Sequence, residues 1–75
     1  MKYVACFRVN NGSTISGDYE FTNKNTAIKE IREMAEGNRH ADGECNWCVY
    51  LQENEKLTRV AAGGTSRRNI RYRLQ

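Results

Sequence analysis

Residues 3–9 are apolar except for Arg8, and both this segment and residues 14–22 are rich in aromatic or β-branched residues. Such segments are typical of strands. The turn-forming sequence Asn10-Asn11-Gly12-Ser13 lies between the two segments. The pattern therefore predicts a hairpin of two antiparallel strands over residues 3–22.

The register of this hairpin decides which side chains are buried, because a shift of one residue exchanges the two faces of a strand. A two-residue loop at Asn11-Gly12 sets the apolar residues of the first strand opposite polar partners. A three-residue loop that starts at Asn10 instead pairs Phe7 with Ile15, with Gly12 in the left-handed conformation. We predict this longer loop. The buried face then comprises Tyr3, Ala5, Phe7, Val9, Ile15, Tyr19 and Phe21.

The period changes to that of a helix over residues 24–36, where apolar residues recur every three or four positions and charged residues occupy the other side. We place the N-cap of this helix at Asn23 and its C′ residue at Gly37. Met34 is interpreted as a core residue. The apolar stripe comprises Ala27, Ile28, Ile31, Met34 and Ala35.

Strand patterns return at residues 45–51 and 58–62, on either side of a turn centred at Asn54-Glu55. The predicted pairs of this second hairpin are Leu51 with Thr58, Val49 with Val60, and Trp47 with Ala62. Its buried face comprises Cys45, Trp47, Val49, Leu51, Val60 and Ala62. Tyr50 and Arg59 then lie side by side on the opposite face.

Residues 63–65, Gly-Gly-Thr, predict a bend, and the alternation around Arg71 and Arg73 predicts a last, half-buried edge strand over residues 70–74. The whole pattern predicts an α+β fold. An antiparallel sheet of four or five strands packs one face against one helix, in the order β-β-α-β-β-β. With 75 residues the chain forms a single domain, residues 1–75, and is too short to cover both faces of the sheet.

The composition is that of an ordinary globular domain, with 39% hydrophobic and 28% charged residues. No apolar run approaches the roughly 20 residues that span a bilayer. Arg8 interrupts the first apolar segment before it reaches the length of a signal-peptide core. We therefore expect a cytoplasmic protein without membrane contact.

The formal net charge of +3 is concentrated late in the chain. Residues 1–37 contain equal numbers of acidic and basic residues, whereas residues 59–75 contain no acidic residue. The arginines of this last segment are Arg59, Arg67, Arg68, Arg71 and Arg73. Arginine binds phosphate and carboxylate groups through two parallel hydrogen bonds, which lysine cannot.

Three cysteines and one histidine raise the question of a metal or redox site. Cys6, His40, Cys45 and Cys48 are of the types that zinc prefers, but Cys45 and Cys48 point to opposite faces of a regular strand. A Cys-x-x-Cys redox pair needs a following helix, which the pattern lacks. An odd cysteine count in a reducing compartment argues against a structural disulfide. We interpret the cysteines mainly as packing residues and leave the metal alternative open.

The sequence contains little that resembles a catalytic motif. His40 is the one histidine, and no serine or cysteine motif suggests a triad with it. Residues 63–66, Gly-Gly-Thr-Ser, lack the Gly-Lys-Ser/Thr ending of a P-loop, although their amides are suited to contact an anion. We predict neither an enzymatic activity nor a cofactor.

The strongest functional pattern is formed by several residues on one face of the predicted sheet. Counting positions along the strands places Arg8, Tyr50, Arg59, Arg71 and Arg73 on the sheet face opposite the helix. A basic sheet face with an aromatic side chain is typical of small domains that hold single-stranded nucleic acid. We predict a non-enzymatic binding module that contacts nucleic acid or another polyanion through Tyr50, Arg59, Arg67, Arg68, Arg71 and Arg73.

The alternative is a protein interaction module. The same face is suited to docking on an acidic protein, in the manner of small regulatory or inhibitor proteins. The last strand is also suited to pairing with a second copy of the chain, which would give a homodimer.

Overall fold

In the computed structural model, which describes residues 1–65, a five-stranded antiparallel sheet packs one face against a helix. The elements are β1 Lys2–Val9, β2 Thr14–Ile15, β3 Tyr19–Phe21, α1 Lys24–Gly37, β4 Cys45–Glu53 and β5 Lys56–Thr65. The predicted α+β class, with the helix on one face of the sheet, is confirmed. The described elements follow the order β-β-β-α-β-β, because the predicted strand 14–22 is divided in two. The strand predicted at residues 70–74 lies outside the described residues.

β1 and β4 form the centre of the sheet, in the strand order β2-β1-β4-β5, and β3 also pairs with β1. The buried core comprises Ala5, Phe7, Val9, Ala27, Ile31, Ala35, Cys45, Trp47 and Val49, with Tyr3, Phe21, Ile28, Met34, Val60 and Ala61 packed against it. The predicted helix stripe, including Met34, is therefore confirmed. Each large apolar side chain that is fully buried contributes about 1.5–3 kcal/mol, so this layer holds α1 on the sheet.

The first hairpin has a different register from the predicted one. Ile15 pairs with Arg8 instead of Phe7, which turns the Ile15 side chain away from α1. Its exposure of 62% shows that its predicted burial is wrong. The strand is interrupted at residues 16–18, and β3 resumes one position out of step, with Ala5 opposite Tyr19. Tyr19 lies on an edge strand and is 41% exposed, so its predicted burial is also wrong.

The loop of this hairpin is held by Asn10, which contacts the connection between α1 and β4. The Asn10 amide donates to the Glu44 carbonyl at 2.7 Å, and its Oδ1 accepts from the His40 amide at 2.8 Å. Residues 10–12 all have positive φ, at 57°, 60° and 86°. The left-handed conformation predicted for Gly12 is confirmed. Val9 pairs with Thr14, and the Ser13 amide donates to the Asn10 carbonyl at 3.2 Å. The hairpin therefore has the register of the two-residue Asn11-Gly12 loop, and the predicted three-residue loop is wrong.

Ser16 explains the break between β2 and β3. Its hydroxyl oxygen accepts from the Phe7 amide at 2.8 Å, and its own amide donates to the Phe7 carbonyl at 2.9 Å. The hydroxyl also donates to the Gly17 carbonyl at 2.8 Å. A side chain thus takes the place of a backbone carbonyl in the ladder, and the strand continues with one extra residue.

Asparagine side chains form both ends of α1. Asn23 has extended dihedral angles and its Oδ1 accepts from the Thr26 amide at 3.0 Å, which confirms the predicted N-cap. Gly37 is the last helical residue instead of the predicted C′ residue, and Asn38 is the C-cap. The Asn38 amide and Nδ2 donate to the Met34 carbonyl at 3.1 and 2.8 Å. These bonds satisfy the helix end without a left-handed glycine.

The second hairpin changes register in its middle. The predicted turn at Asn54-Glu55 and the predicted pairs of Leu51 with Thr58 and Tyr50 with Arg59 are confirmed. β5 then contains a bulge at Val60, so that Val49 pairs with Ala61. The predicted pairs of Val49 with Val60 and of Trp47 with Ala62 are therefore wrong. Ala61 packs against the core, and Ala62 is exposed instead of buried.

Gly63 and Gly64 belong to β5, so the predicted bend at residues 63–65 is wrong. Gly63 lies opposite Trp47, and a Cβ atom on Gly63 would lie 2.5 Å from Cζ2 of the indole. A Cβ atom on Gly64 would meet the carbonyl oxygen of Cys45. The glycines allow β4 and its indole to approach β5 closely, which is a packing role.

Candidate functional site

The sheet face opposite α1, which we call the open face, is uncovered within the described part of the chain. Alternate residues of β1 and β4 project onto it, because their neighbours in sequence point towards the helix. The open face includes Val4, Cys6, Arg8, Ile15, Asn46, Cys48, Tyr50, Leu57, Arg59 and Ala62. Its centre is apolar and half-buried, while Arg8 and Arg59 are exposed at diagonally opposite corners.

Tyr50 and Arg59 lie directly opposite each other across β4 and β5, as the sequence predicts. Tyr50 is half-buried and Arg59 is exposed. The negative charge of an ionised Cys48, then burial, raise the pKa of Tyr50, and Arg59 acts in the opposite direction. The Tyr50 hydroxyl therefore stays protonated at neutral pH, and the residue lies between a thiol and a guanidinium.

An open groove of about 390 Å³ crosses the same face. Its lining includes Cys6, Arg8, Ile15, Cys48 and Tyr50. Arg8 pairs with Asn46, four positions along β4 from Tyr50. At a strand rise of about 3.4 Å per residue, the two rows are about 14 Å apart. The groove thus connects an exposed guanidinium with an aromatic ring. Sequence reasoning missed the contribution of Ile15, which it placed in the core.

Positive charge on this side of the sheet comes from its arginines. Lys2 forms an ion pair with Glu20 at 3.0 Å, with side-chain exposures of 45% and 63%. Such an exposed pair contributes about 0–1 kcal/mol to stability and leaves little net charge. Between residues 1 and 65, neither Arg8 nor Arg59 takes part in an ion pair. A ligand on the open face would therefore meet these two guanidinium groups.

The remaining predicted contact residues are Arg67, Arg68, Arg71 and Arg73, and they lie outside the described residues. The same holds for Ser66 of the predicted anion-binding loop. Gly63 and Gly64 of that loop lie within β5, where the approach of Trp47 explains the first of them. Of the predicted contacts, the structure thus brings together Tyr50 and Arg59.

Cys6 and Cys48 are direct partners across β1 and β4 on the open face, whereas Cys45 is buried beneath α1. The predicted divergence of Cys45 and Cys48 to opposite faces is confirmed. Burial, then the charges of Cys48 and Asp18, raise the pKa of the Cys6 thiol, and Arg8 lowers it. In the described range, no group of three or more His, Cys, Asp or Glu side chains is placed to hold a metal ion. The Cys6–Cys48 pair was missed because it depends on β1 and β4 being neighbours.

Comparisons with protein families, with curated proteins and with solved structures found no match to this chain. Among residues 1–65 there is also no helix long and apolar enough to cross a membrane. The chemistry of the open face is therefore the basis for a functional proposal.

Proposed function

We propose that this protein is a non-enzymatic binding module that holds single-stranded nucleic acid on its open face. The observation that carries the proposal is the direct pairing of Tyr50 with Arg59 on a sheet face that α1 leaves uncovered. The groove that joins Tyr50 to Arg8 extends this pair into an elongated surface.

The side chains on this surface match the two chemical features of single-stranded nucleic acid. A tyrosine ring offers a platform on which a base stacks without regard to its identity, and arginines contact the phosphates. The rows of Arg8 and Tyr50 are about 14 Å apart, so the surface is long enough to contact more than one nucleotide.

The proposal includes Arg67, Arg68, Arg71 and Arg73 on the basis of sequence. They follow β5, the strand that carries Arg59, and no acidic residue interrupts the segment 59–75. Each phosphate that an arginine neutralises releases counterions, so several arginines make binding strongly dependent on salt.

The competing function is docking on an acidic protein. The observation that favours it is the exposed apolar surface of Ile15 at 62% and Leu57 at 55%, close to the arginines of the sheet. Apolar side chains beside arginine are typical of protein interfaces. A homodimer through the strand predicted at residues 70–74 stays a prediction, since that segment lies outside the described residues.

Fluorescence anisotropy with a labelled single-stranded oligonucleotide, measured over a series of salt concentrations, tests the nucleic-acid proposal. We expect Tyr50→Leu to weaken binding about 5- to 150-fold, which corresponds to the loss of about 1–3 kcal/mol of base stacking. Tyr50→Phe keeps the ring and should bind like the native protein. Arg59→Gln should lower the slope of log affinity against log salt by about 1, whereas Arg32→Gln, which is exposed on α1, should leave it unchanged.

The double variant Arg71→Gln with Arg73→Gln should lower the same slope by about 2. Absence of binding at low ionic strength would contradict the proposal. Equal effects of Arg32→Gln and Arg59→Gln on the slope of log affinity against log salt would also contradict it. A pull-down from nuclease-treated lysate distinguishes the competing function, protein binding, from nucleic-acid binding. An acidic protein captured by the native chain and lost with Arg59→Gln would assign the open face to protein binding instead.

A further inference from the structure

Two cysteine side chains face each other at the centre of the open face. Cys6 on β1 and Cys48 on β4 are direct partners in the antiparallel ladder, and both are half-buried thiols in the reduced state. Their position in the lining of the groove leaves them accessible to small molecules. Cys45, three positions before Cys48, points into the core and is 1% exposed.

The hydrogen bonds of the ladder indicate how far apart the two backbones are. The Asn10 amide donates to the Glu44 carbonyl, and these two residues continue the register of β1 with β4. Hydrogen-bonded pairs alternate along an antiparallel ladder, so Cys6 and Cys48 also form a hydrogen-bonded pair, with Cα atoms about 5.5 Å apart. Disulfides most often join Cα atoms about 5.5–6 Å apart. The backbone therefore already has the spacing of a disulfide.

We propose that Cys6 and Cys48 are a site of reversible thiol–disulfide exchange and form a disulfide across β1 and β4. Directly opposite Cβ atoms lie about 4.5–5.5 Å apart, whereas a disulfide needs about 3.5–4.5 Å. The side chains must approach by about 1 Å, and the strain makes the bond easy to reduce. A strained disulfide in the lining of an open groove belongs to the labile class that responds to its redox surroundings.

The oxidant is a low-molecular-weight disulfide such as glutathione disulfide. One protein thiolate attacks a sulfur of the oxidant, which forms a mixed disulfide and releases the first thiol. The second protein thiolate attacks the protein sulfur of the mixed disulfide and releases the second thiol. Two protein thiols are oxidised, the oxidant is reduced to two thiols, and two protons pass from the cysteines to the departing thiolates.

The surroundings of the pair set its pH dependence. Cys6 is influenced by Cys48 on β4, by Asp18 between β2 and β3, and by Arg8 on its own strand, and its own charge raises the pKa of Tyr50 on β4. Because burial and the acidic neighbours raise the pKa of Cys6, this thiol stays protonated at neutral pH. The exchange should therefore become faster as the pH rises above neutrality.

The test compares two variants, each of which keeps two cysteines. Cys45→Ala leaves Cys6 with Cys48, and Cys48→Ala leaves Cys6 with Cys45, at a similar separation along the chain. The entropy of closing the loop is thus nearly equal in the two variants, and the folded geometry makes the difference. Both are equilibrated with reduced and oxidised glutathione, and the intramolecular disulfide is measured by intact mass after acid quenching.

We expect the folded Cys45→Ala variant to form the intramolecular disulfide at least about tenfold more than Cys48→Ala, and both to form it equally in urea, where the ladder is absent. Reduced glutathione should reverse the reaction. Equal amounts in the folded variants, or only glutathione adducts on Cys45→Ala, would overturn the proposal.

The native chain provides a measurement that does not depend on the folding of a variant. Chymotrypsin cleaves after Trp47, which separates Cys45 from Cys48. A linked pair of peptides, residues 4–7 with residues 48–50, identifies the Cys6–Cys48 bond directly. Linkage of residues 4–7 to the peptide that carries Cys45 would instead show that the exchange does not follow the sheet register.

Discussion

Gly63 is glycine because Trp47 of β4 packs over it. A Cβ atom at this position would lie 2.5 and 2.8 Å from two atoms of the indole, closer than packed carbon atoms allow. At Gly37, the last residue of α1, a Cβ atom would instead have no neighbour within 4 Å. The same residue type thus has a packing role in β5 and none at the helix end.

Gly63→Ala should lower the free energy of unfolding by about 1–3 kcal/mol, because the indole or the backbone must move to accommodate the methyl group. Gly37→Ala should be neutral or stabilise the protein by up to about 1 kcal/mol, since alanine is the better helix former. Urea unfolding followed by tryptophan fluorescence measures both. Equal effects of the two substitutions would contradict the packing role of Gly63.

At the scale of elements, the local pattern predicts where strands and helices lie better than it predicts their register. Asn23 caps α1, and the turn at residues 53–56 forms as predicted, because both depend on neighbouring residues. The two errors of register have separate causes. The first hairpin has the register of a two-residue turn at Asn11-Gly12, and a bulge at Val60 shifts the second by one residue.

Ser16→Ala should destabilise the protein by about 1–3 kcal/mol, because the Phe7 amide loses the acceptor to which it donates at 2.8 Å. Ser13→Ala, at an exposed position in the turn of the same hairpin, is the matched control and should change stability by less than about 0.5 kcal/mol. Hydrogen exchange of the Phe7 amide should become faster in the first variant alone. Unchanged protection of this amide would show that Ser16 does not hold β2 to β1.

At the scale of the whole molecule, one layer of side chains holds the helix to the sheet and leaves the other face open. Phe7 is 6% exposed beneath α1, while Ile15, which the sequence places on the same buried face, is 62% exposed on the open face. The exposed fraction thus differs greatly between two residues of one hairpin. The register of β1 with β2 is the cause.

Phe7→Ala should cost about 3–5 kcal/mol, a large share of the stability of a domain of this size. Ile15→Ala should change the free energy of unfolding by less than about 0.5 kcal/mol, because its side chain is already in contact with water. Chemical denaturation of the two variants measures the difference. A loss below about 1 kcal/mol for Phe7→Ala would mean that the assignment of the two sheet faces is inverted.

The sequence by itself determined the positions of β1, β4 and the first part of β5, the helix with its stripe and N-cap, and the pairing of Tyr50 with Arg59. These features follow from periodicity and from turns, in which the interacting residues are near one another in the chain. Only the tertiary structure decided that β1 lies beside β4 and that each hairpin shifts by one residue. Those outcomes depend on distant contacts, such as Asn10 with Glu44 and Trp47 with Gly63. A shift of one residue exchanges the faces of a strand, and the register of the first hairpin therefore brought Ile15 into the groove. The adjacency of β1 and β4 likewise brought Cys6 opposite Cys48.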